Sequence, residues 1–199
     1  VEVESYPFVS DTWDRQGIPA GDPRRDALRL RNPMADDAPW LRTSVLDTLL
    51  DVAGRNVSRS NADVAVFEVA KVARPTGTVP AGLPGAETRP SDEVLAALEA
   101  GIPAQPWHIG GVLTGAAEAA GVLSTPRAYD WAEALEYVRR VASDLGVRVE
   151  VTRAWVDHVS AHKGAPMPAP ATDPADVAPF HPGRVARVFV RAGRDLVDV

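Results

Sequence analysis

The 199-residue sequence predicts an α+β fold in which a mostly antiparallel sheet is flanked by helices. Three observations support this prediction. Strand-like and helix-like segments alternate along most of the chain, no glycine-rich phosphate loop follows a strand, and the last two strands are separated only by a short turn. The alternation by itself would also allow a parallel, doubly wound sheet. The missing loop and the late hairpin favour the antiparallel arrangement.

The composition is typical of a soluble globular protein, with 45% hydrophobic and 24% charged residues. Prolines and glycines concentrate in Pro75–Pro90 and Gly164–Gly183, which we interpret as surface loops within a single domain spanning residues 1–199. No apolar run approaches the roughly 20 residues that a membrane span needs. The first residue is Val1 and no secretory leader follows, which indicates an excised fragment or a mature form.

The charge and the cysteine count narrow the range of functions. The net charge of −6 argues against a main RNA-binding surface, although it leaves room for a local basic patch. The absence of cysteine excludes disulfides, thiolate metal sites and a cysteine nucleophile, and it fits a cytoplasmic protein.

The first quarter of the chain predicts two strands and a short helix. Alternation predicts strands over Val1–Tyr6 and Leu28–Arg31, the second ended by Asn32-Pro33. Ser10 is a suitable N-cap for a helix over Asp11–Gln16.

A longer helix follows, with Thr43 or Ser44 as its cap and Gly54 as its end. Its apolar residues recur mostly at intervals of three and four, which places them on one helical face. They are Leu41, Val45, Leu46, Leu49, Leu50 and Ala53.

Asp63–Arg74 would carry apolar residues on both faces of a strand, which predicts a central strand of the sheet. Glu68 interrupts this strand, and a buried carboxylate must find a partner. Two interpretations stay open: Glu68 forms a structural salt bridge or faces a cleft, or it is the remnant of a substrate pocket.

The second half of the chain predicts helices over Ser91–Ala100 and Asp130–Leu145, the latter with an Asp130/Glu133 capping pair and Gly146 as its end. In the strand predicted over Trp107–Gly115, the pair Gly110-Gly111 indicates a close backbone approach or a bulge. Further strands are predicted over Arg148–Val156, Arg184–Val190 and Leu196–Val199.

No catalytic set emerges from the residues. His158 and His162 lie four residues apart but in a strand end and loop, so they predict no metal site. His108 and His181 are more simply explained as hydrogen-bonded structural residues. The chain contains no G-x-S-x-G or Walker motif.

Six segments, in order, resemble the core module of the phenylalanyl-tRNA synthetase beta subunit of the bacterial type. The most specific of them carries an Asn-Pro, an acidic turn and Leu-Arg-Thr-Ser before a Leu-Leu pair. The segments are VESYPFVS, LRNPMADDAPWLRTSVLDTLLDVAGRN, VFEVAKV, HIGGVLTG, AYDWAEALEYVRRVASDLGV and HPGRVARVFVRAG.

This resemblance implies a class II aminoacyl-tRNA synthetase-like antiparallel sheet flanked by helices, without an active site of its own. In that family the alpha subunit activates phenylalanine with ATP and magnesium and charges tRNA, while beta supports the heterotetramer. It implies an alpha-subunit partner, tRNA contact only through the whole assembly, and no cofactor or metal in this chain, which would be truncated at both ends relative to the full subunit. The architectural or interface residues that we select are Leu41, Arg42, Leu46, Leu49, Leu50, Asn56, Phe67 and Glu68.

Two alternatives remain beside this scaffold role. One is a residual nucleotide- or amino-acid-binding pocket formed by Glu68, Arg74 and His108, with Arg74 near the position of an ATP-binding arginine in active class II domains. The other is a tRNA-contacting basic edge. Its residues are Arg24, Arg25, Arg29 and Arg31.

Overall fold

A computed structural model describes residues 1–76, 82, 84–153, 177–181, 184–192 and 195–198. The chain divides into two compact units. Unit 1 contains Val1–Asp11 and Gly21–Ala128, and unit 2 contains Thr12–Ala20 and Tyr129–Val199. The predicted residues His158 and His162, together with most of the loop Gly164–Gly183, lie outside the described ranges.

The described residues form an α+β structure, as predicted. The helices are α1 (Leu46–Ser58), α2 (Asp92–Ala100) and α3 (Trp131–Asp144), and a short 3-10 helix covers Pro23–Arg25. The strands of unit 1 are β1 (Phe8–Val9), β2 (Trp40–Leu41), β3 (Val64–Lys71), β4 (Trp107–Thr114), β5 (Ala116–Glu118) and β6 (Arg127–Ala128). Those of unit 2 are β7 (Val149–Arg153), β8 (Ala186–Ala192) and β9 (Asp195–Asp198).

Every strand pairing among these elements is antiparallel, which confirms the predicted strand direction. The strands are nevertheless distributed over small sheets, pairing as β1-β2, β3-β4, β5-β6 and β7-β8-β9 in the part of the chain that the structure describes. The β8-β9 pairing confirms the predicted late hairpin.

The core of unit 1 lies between α1 and the β3-β4 pair. Because the apolar side chains of α1 recur on one face, they bury against alternate residues of β3. The buried cluster consists of Val45, Leu49, Ala53, Val64, Val66 and Val72.

Three details of the predicted α1 were wrong. Leu41 belongs to β2 rather than to the helix. The N-cap residue is Val45 instead of Thr43 or Ser44. The Ser44 hydroxyl still accepts a hydrogen bond from the Leu46 amide at 3.1 Å. Gly54 does not end the helix, which continues to Ser58, because one glycine costs only about 1 kcal/mol of helix propensity and packing of the apolar face overrides it.

β3 carries apolar residues on both faces, as predicted, but only one of these faces is buried. Its burial alternates along the strand, with Val64, Val66 and Glu68 buried and Phe67 and Val69 exposed. β3 does lie between two neighbours, since β4 pairs along its whole length and Glu2 forms a parallel bridge with Phe67.

The predicted N-terminal elements are shorter than expected. Val1–Tyr6 forms only the bridge to β3, and Leu28–Arg31 only a bridge from Arg29 to Trp40, because each segment pairs through too few residues to form a ladder. Asp11–Gln16 forms hydrogen-bonded turns instead of a helix, consistent with the marginal stability of so short a helix.

The later helices confirm their sequence signals. The Ser91 hydroxyl caps α2 by accepting from the Val94 amide. Asp130 and Glu133 form the predicted capping box of α3, and Gly146 follows that helix with a positive φ of 68°. Of the strand predicted over Arg148–Val156, residues 149–153 form β7, and residues 154–156 lie outside the described part. No helix of the described residues is long and apolar enough to cross a membrane.

Candidate functional site

The most distinctive polar feature of unit 1 is a buried ion pair. Arg42 lies directly after β2 and Glu68 points inward from β3. The Nη1 atom of Arg42 donates to Oε1 of Glu68 at 2.7 Å. The two residues are only 3% and 1% exposed, so the charges are almost fully removed from water.

Two further residues, Thr48 and Ser5, form hydrogen bonds with this pair. The Thr48 hydroxyl on α1 accepts from Arg42 Nη1 at 2.9 Å and donates to Oε2 of Glu68 at 3.1 Å. The Ser5 amide donates to Oε1 of Glu68 at 3.2 Å. Each charge therefore has hydrogen-bonding partners, as a buried ion pair requires if its desolvation is to be compensated.

Arg42 also connects neighbouring backbone segments. Its amide donates to the Pro7 carbonyl, and its own carbonyl accepts from the Ala73 amide, both at 2.9 Å. Its Nε donates to the Lys71 carbonyl at 3.3 Å. One residue thus joins the chain before β1, the end of β2 and the end of β3.

The sheet approaches α1 closely beside this pair because Gly110 lies opposite Glu68 in the β3-β4 register. A Cβ added to Gly110 would lie 2.7 Å from Val45 Cγ2 and 3.1 Å from Leu49 Cδ1. Gly110 therefore provides the close approach that the glycine pair predicted.

The salt-bridge interpretation of Glu68 describes what the structure shows. Of the three residues predicted for a substrate pocket, Glu68 bonds to Arg42, whereas Arg74 and His108 contact each other, with 3.5 Å between Arg74 Nη2 and His108 Nε2. Burial, and secondarily the positive charge of Arg74, lower the pKa of His108 below its ordinary value. Lowering this pKa favours a neutral imidazole.

The opposite face of β3-β4 is open and largely apolar. Phe67, Val69 and Ile109 are exposed on it, and Lys71 Nζ lies 5.4 Å from the ring centroid of its cross-strand partner Trp107. This distance suits a cation–π interaction.

The remaining predicted architectural residues take different positions along the chain. Leu49 is fully buried, Leu41 and Leu46 are half-buried, and Leu50 is 40% exposed. The side chain of Asn56 donates to the Val52 carbonyl at 2.9 Å, while its carbonyl accepts from the amides after α1.

The predicted basic edge is only partly available for other contacts. Arg24 forms a two-pronged ion pair with Asp22, through Nε at 2.9 Å and Nη2 at 2.7 Å. This hydrogen bonding lowers the pKa of Asp22. Arg29 and Arg31 are exposed, and Arg25 is half-buried.

Sequence reasoning missed Thr48 and Ser5. The signal for Thr48 was present, because a hydroxyl stands within the inward face of α1 beside Val45 and Leu49. Ser5 contributes its backbone amide, for which no side-chain signal exists. Among the described residues, no group of three or more His, Asp or Glu side chains is placed to hold a metal ion.

Comparison with known proteins gives a consistent result. A family model described as the phenylalanyl tRNA synthetase beta chain CLM domain matches residues 1–196. The chain is 38% identical to the phenylalanine–tRNA ligase beta subunit of Bifidobacterium longum and 37% identical to that of Thermobifida fusca, with 96% of this chain covered in each case. It spans 20% of the Bifidobacterium protein and 21% of the Thermobifida protein, about one fifth of each.

Proposed function

The chain belongs to the phenylalanyl-tRNA synthetase beta chain CLM family, and from this we propose that it is a non-catalytic core module of the ligase. In this proposal it supports assembly with the alpha subunit, and the alpha–beta assembly charges tRNA with phenylalanine in an ATP-dependent reaction. The two units would act as one domain with a class II-like fold in the cytoplasm, and the match of one family model to residues 1–196 supports the single domain.

The observation that carries the scaffold role is the burial and hydrogen bonding of the Glu68 carboxylate. Its carboxylate is 1% exposed and accepts from Arg42, Thr48 and the Ser5 amide. A carboxylate engaged in this way holds α1, β2 and β3 together. It is not presented to a ligand in solvent, which supports a structural rather than a catalytic role for the charged pair.

The surface that we propose for alpha-subunit contact is the outward side of α1. Leu49 points into the core, while Leu50 and Val57 are exposed. These two positions lie seven residues apart and therefore share a helical face. Exposed aliphatic side chains on one helical face are suited to packing against a partner helix.

Co-purification tests this proposal. Full-length beta subunit carrying Leu50→Asp should lose at least tenfold in affinity for alpha, because a charge would enter an apolar interface. Met34→Asp is the matched control, since Met34 is exposed and does not belong to α1. Full alpha binding by Leu50→Asp with wild-type thermal stability would refute the contact surface.

The residual-pocket alternative is tested by calorimetry with ATP and with phenylalanine on this chain. Binding heat that Arg74→Ala and His108→Ala both remove would replace the scaffold role with ligand binding. ATP and magnesium are expected to be used by the full enzyme, and we assign no residue of this chain to either. The tRNA alternative predicts filter binding that weakens as salt rises and depends on Arg29 and Arg31.

A further inference from the structure

The β5-β6 hairpin carries two apolar side chains at its tip that no described residue of the chain covers. Val122 and Leu123 have relative exposures of 102% and 101%, the full exposure of an isolated residue. They occupy the two central positions of the turn between Gly121 and Ser124.

The tip is held in a defined conformation. The Gly121 amide donates to the Ser124 carbonyl at 3.3 Å, and the Ser124 amide donates back to the Gly121 carbonyl at 3.4 Å. The Ser124 hydroxyl donates to the Ala119 carbonyl at 3.1 Å. These bonds close the turn and hold its central residues, Val122 and Leu123, at the end of the hairpin.

The stem and base of the hairpin are also fixed. Glu118 and Arg127, which are register partners, form an ion pair at 3.4 Å. At the base, Asp63 Oδ1 accepts from the Ala116 amide at 2.7 Å. Gly115 has a positive φ of 78°, and a Cβ there would collide with Asp63 and Ala62.

We propose that Val122 and Leu123 insert into an uncharged apolar pocket formed by the part of the full-length beta subunit outside these 199 residues. This inference rests on the proposed function, in which the chain is one module of a longer subunit. The hairpin then acts as an intramolecular anchor between this module and another.

The charge of the hairpin indicates a protein pocket rather than a nucleic acid or a lipid surface. Residues 119–126 contain no charged side chain. The flanking Glu118 and Arg127 neutralise each other. Phosphates and anionic headgroups are attracted mainly by Lys and Arg, which the tip lacks.

The small size of the tip favours contact within one chain over contact between chains. A stable interface between separate proteins buries about 800 Å² on each partner. Two aliphatic side chains, each smaller than an aromatic side chain that buries at least about 150 Å², offer less than about 300 Å². Within one chain the effective concentration is high, so a small contact is sufficient. This chain spans one fifth of its relatives, so their other four fifths provide ample surface for such a pocket.

Thiol labelling tests this inference, because the 199-residue sequence contains no cysteine and an introduced cysteine is its single thiol. Leu123→Cys and the control Met34→Cys would be reacted with a neutral maleimide in the 199-residue chain, in full-length beta subunit alone, and in the alpha–beta assembly. Labelling is read peptide by peptide by mass spectrometry. We expect Leu123→Cys to label at least tenfold more slowly in full-length beta alone than in the 199-residue chain, with Met34→Cys unchanged.

Three results would overturn the inference. They are equal labelling of Leu123→Cys in both chains, equal slowing at both positions, and slowing that appears only after alpha is added. The same full-length samples report alpha binding, so loss of the inference is distinguishable from loss of the proposed function. Alpha binding with a fully reactive tip would leave the scaffold role intact and remove only the anchor.

Discussion

The guanidinium of Arg42 and the carboxylate of Glu68 meet at 2.7 Å, although 26 residues separate them along the chain. Both are almost completely buried, and Thr48 contacts both charged groups. This contact joins the end of β2, the first turn of α1 and the middle of β3. Arg42 and Thr48 both belong to the segment that carries the family resemblance most specifically. That segment therefore supplies two of the three side chains at the polar centre of unit 1.

Removing one partner of this pair should be strongly destabilising. Glu68→Gln keeps the shape but leaves the Arg42 charge buried without its counter-ion, so we expect a loss of about 3–5 kcal/mol in the free energy of unfolding. Urea denaturation measures this loss.

The double variant Arg42→Met/Glu68→Leu is the control for the pair. Because it removes both charges together, it should lose less than Glu68→Gln alone. A double variant that is less stable than Glu68→Gln would show that apolar side chains cannot replace the network at this position.

Gly110→Ala should also destabilise, by about 1–3 kcal/mol, because the added methyl group would lie 2.7 Å from Val45 Cγ2 and overpack the contact between α1 and β4. Gly54→Ala is the matched control. It lies inside α1 with no atom within 4 Å of its added Cβ, so it should stabilise by about 0.5–1 kcal/mol. Thermal unfolding of both variants gives the signs, and equal effects would contradict the close approach.

Neighbouring leucines of α1 should respond differently to truncation. Leu49→Ala removes a fully buried side chain and should cost about 2–5 kcal/mol, because a cavity remains. Leu50→Ala changes an exposed side chain and should stay within about 0.5 kcal/mol. Chemical denaturation with an unchanged m-value would establish the difference. A large loss for Leu50→Ala would place that residue in the core instead of at an interface.

The free energy of unfolding should fall as the pH decreases below about 6.5, the ordinary pKa of histidine. Burial and Arg74 lower the pKa of His108 in the folded protein, so the unfolded chain takes up a proton first. The contribution is present above pH 6.5 and is lost as the pH falls through the lowered pKa. His108→Gln should remove this part of the pH dependence, and Arg74→Gln should only reduce it, since burial is the larger cause. Denaturation midpoints between pH 5 and 8 provide the measurement.

Features with a local cause could be predicted from the sequence. The apolar face of α1 and the capping box of Asp130 and Glu133 each follow from residues close in the chain. The family resemblance could also be identified from the sequence, because it rests on short motifs in a fixed order. The segments Val1–Tyr6 and Leu28–Arg31 alternate like strands but find too few partners, and pairing is not a local property.

The sequence by itself therefore determined the family, the α+β class, the antiparallel pairing and the presence of a carboxylate that needed a partner. Only the tertiary structure decided that this partner is Arg42, that Leu49 is core while Leu50 is exposed, and that Arg74 contacts His108. The reason is physical. Propensity and periodicity act over a few residues, whereas burial and ion pairing depend on which distant segments the packed chain brings together.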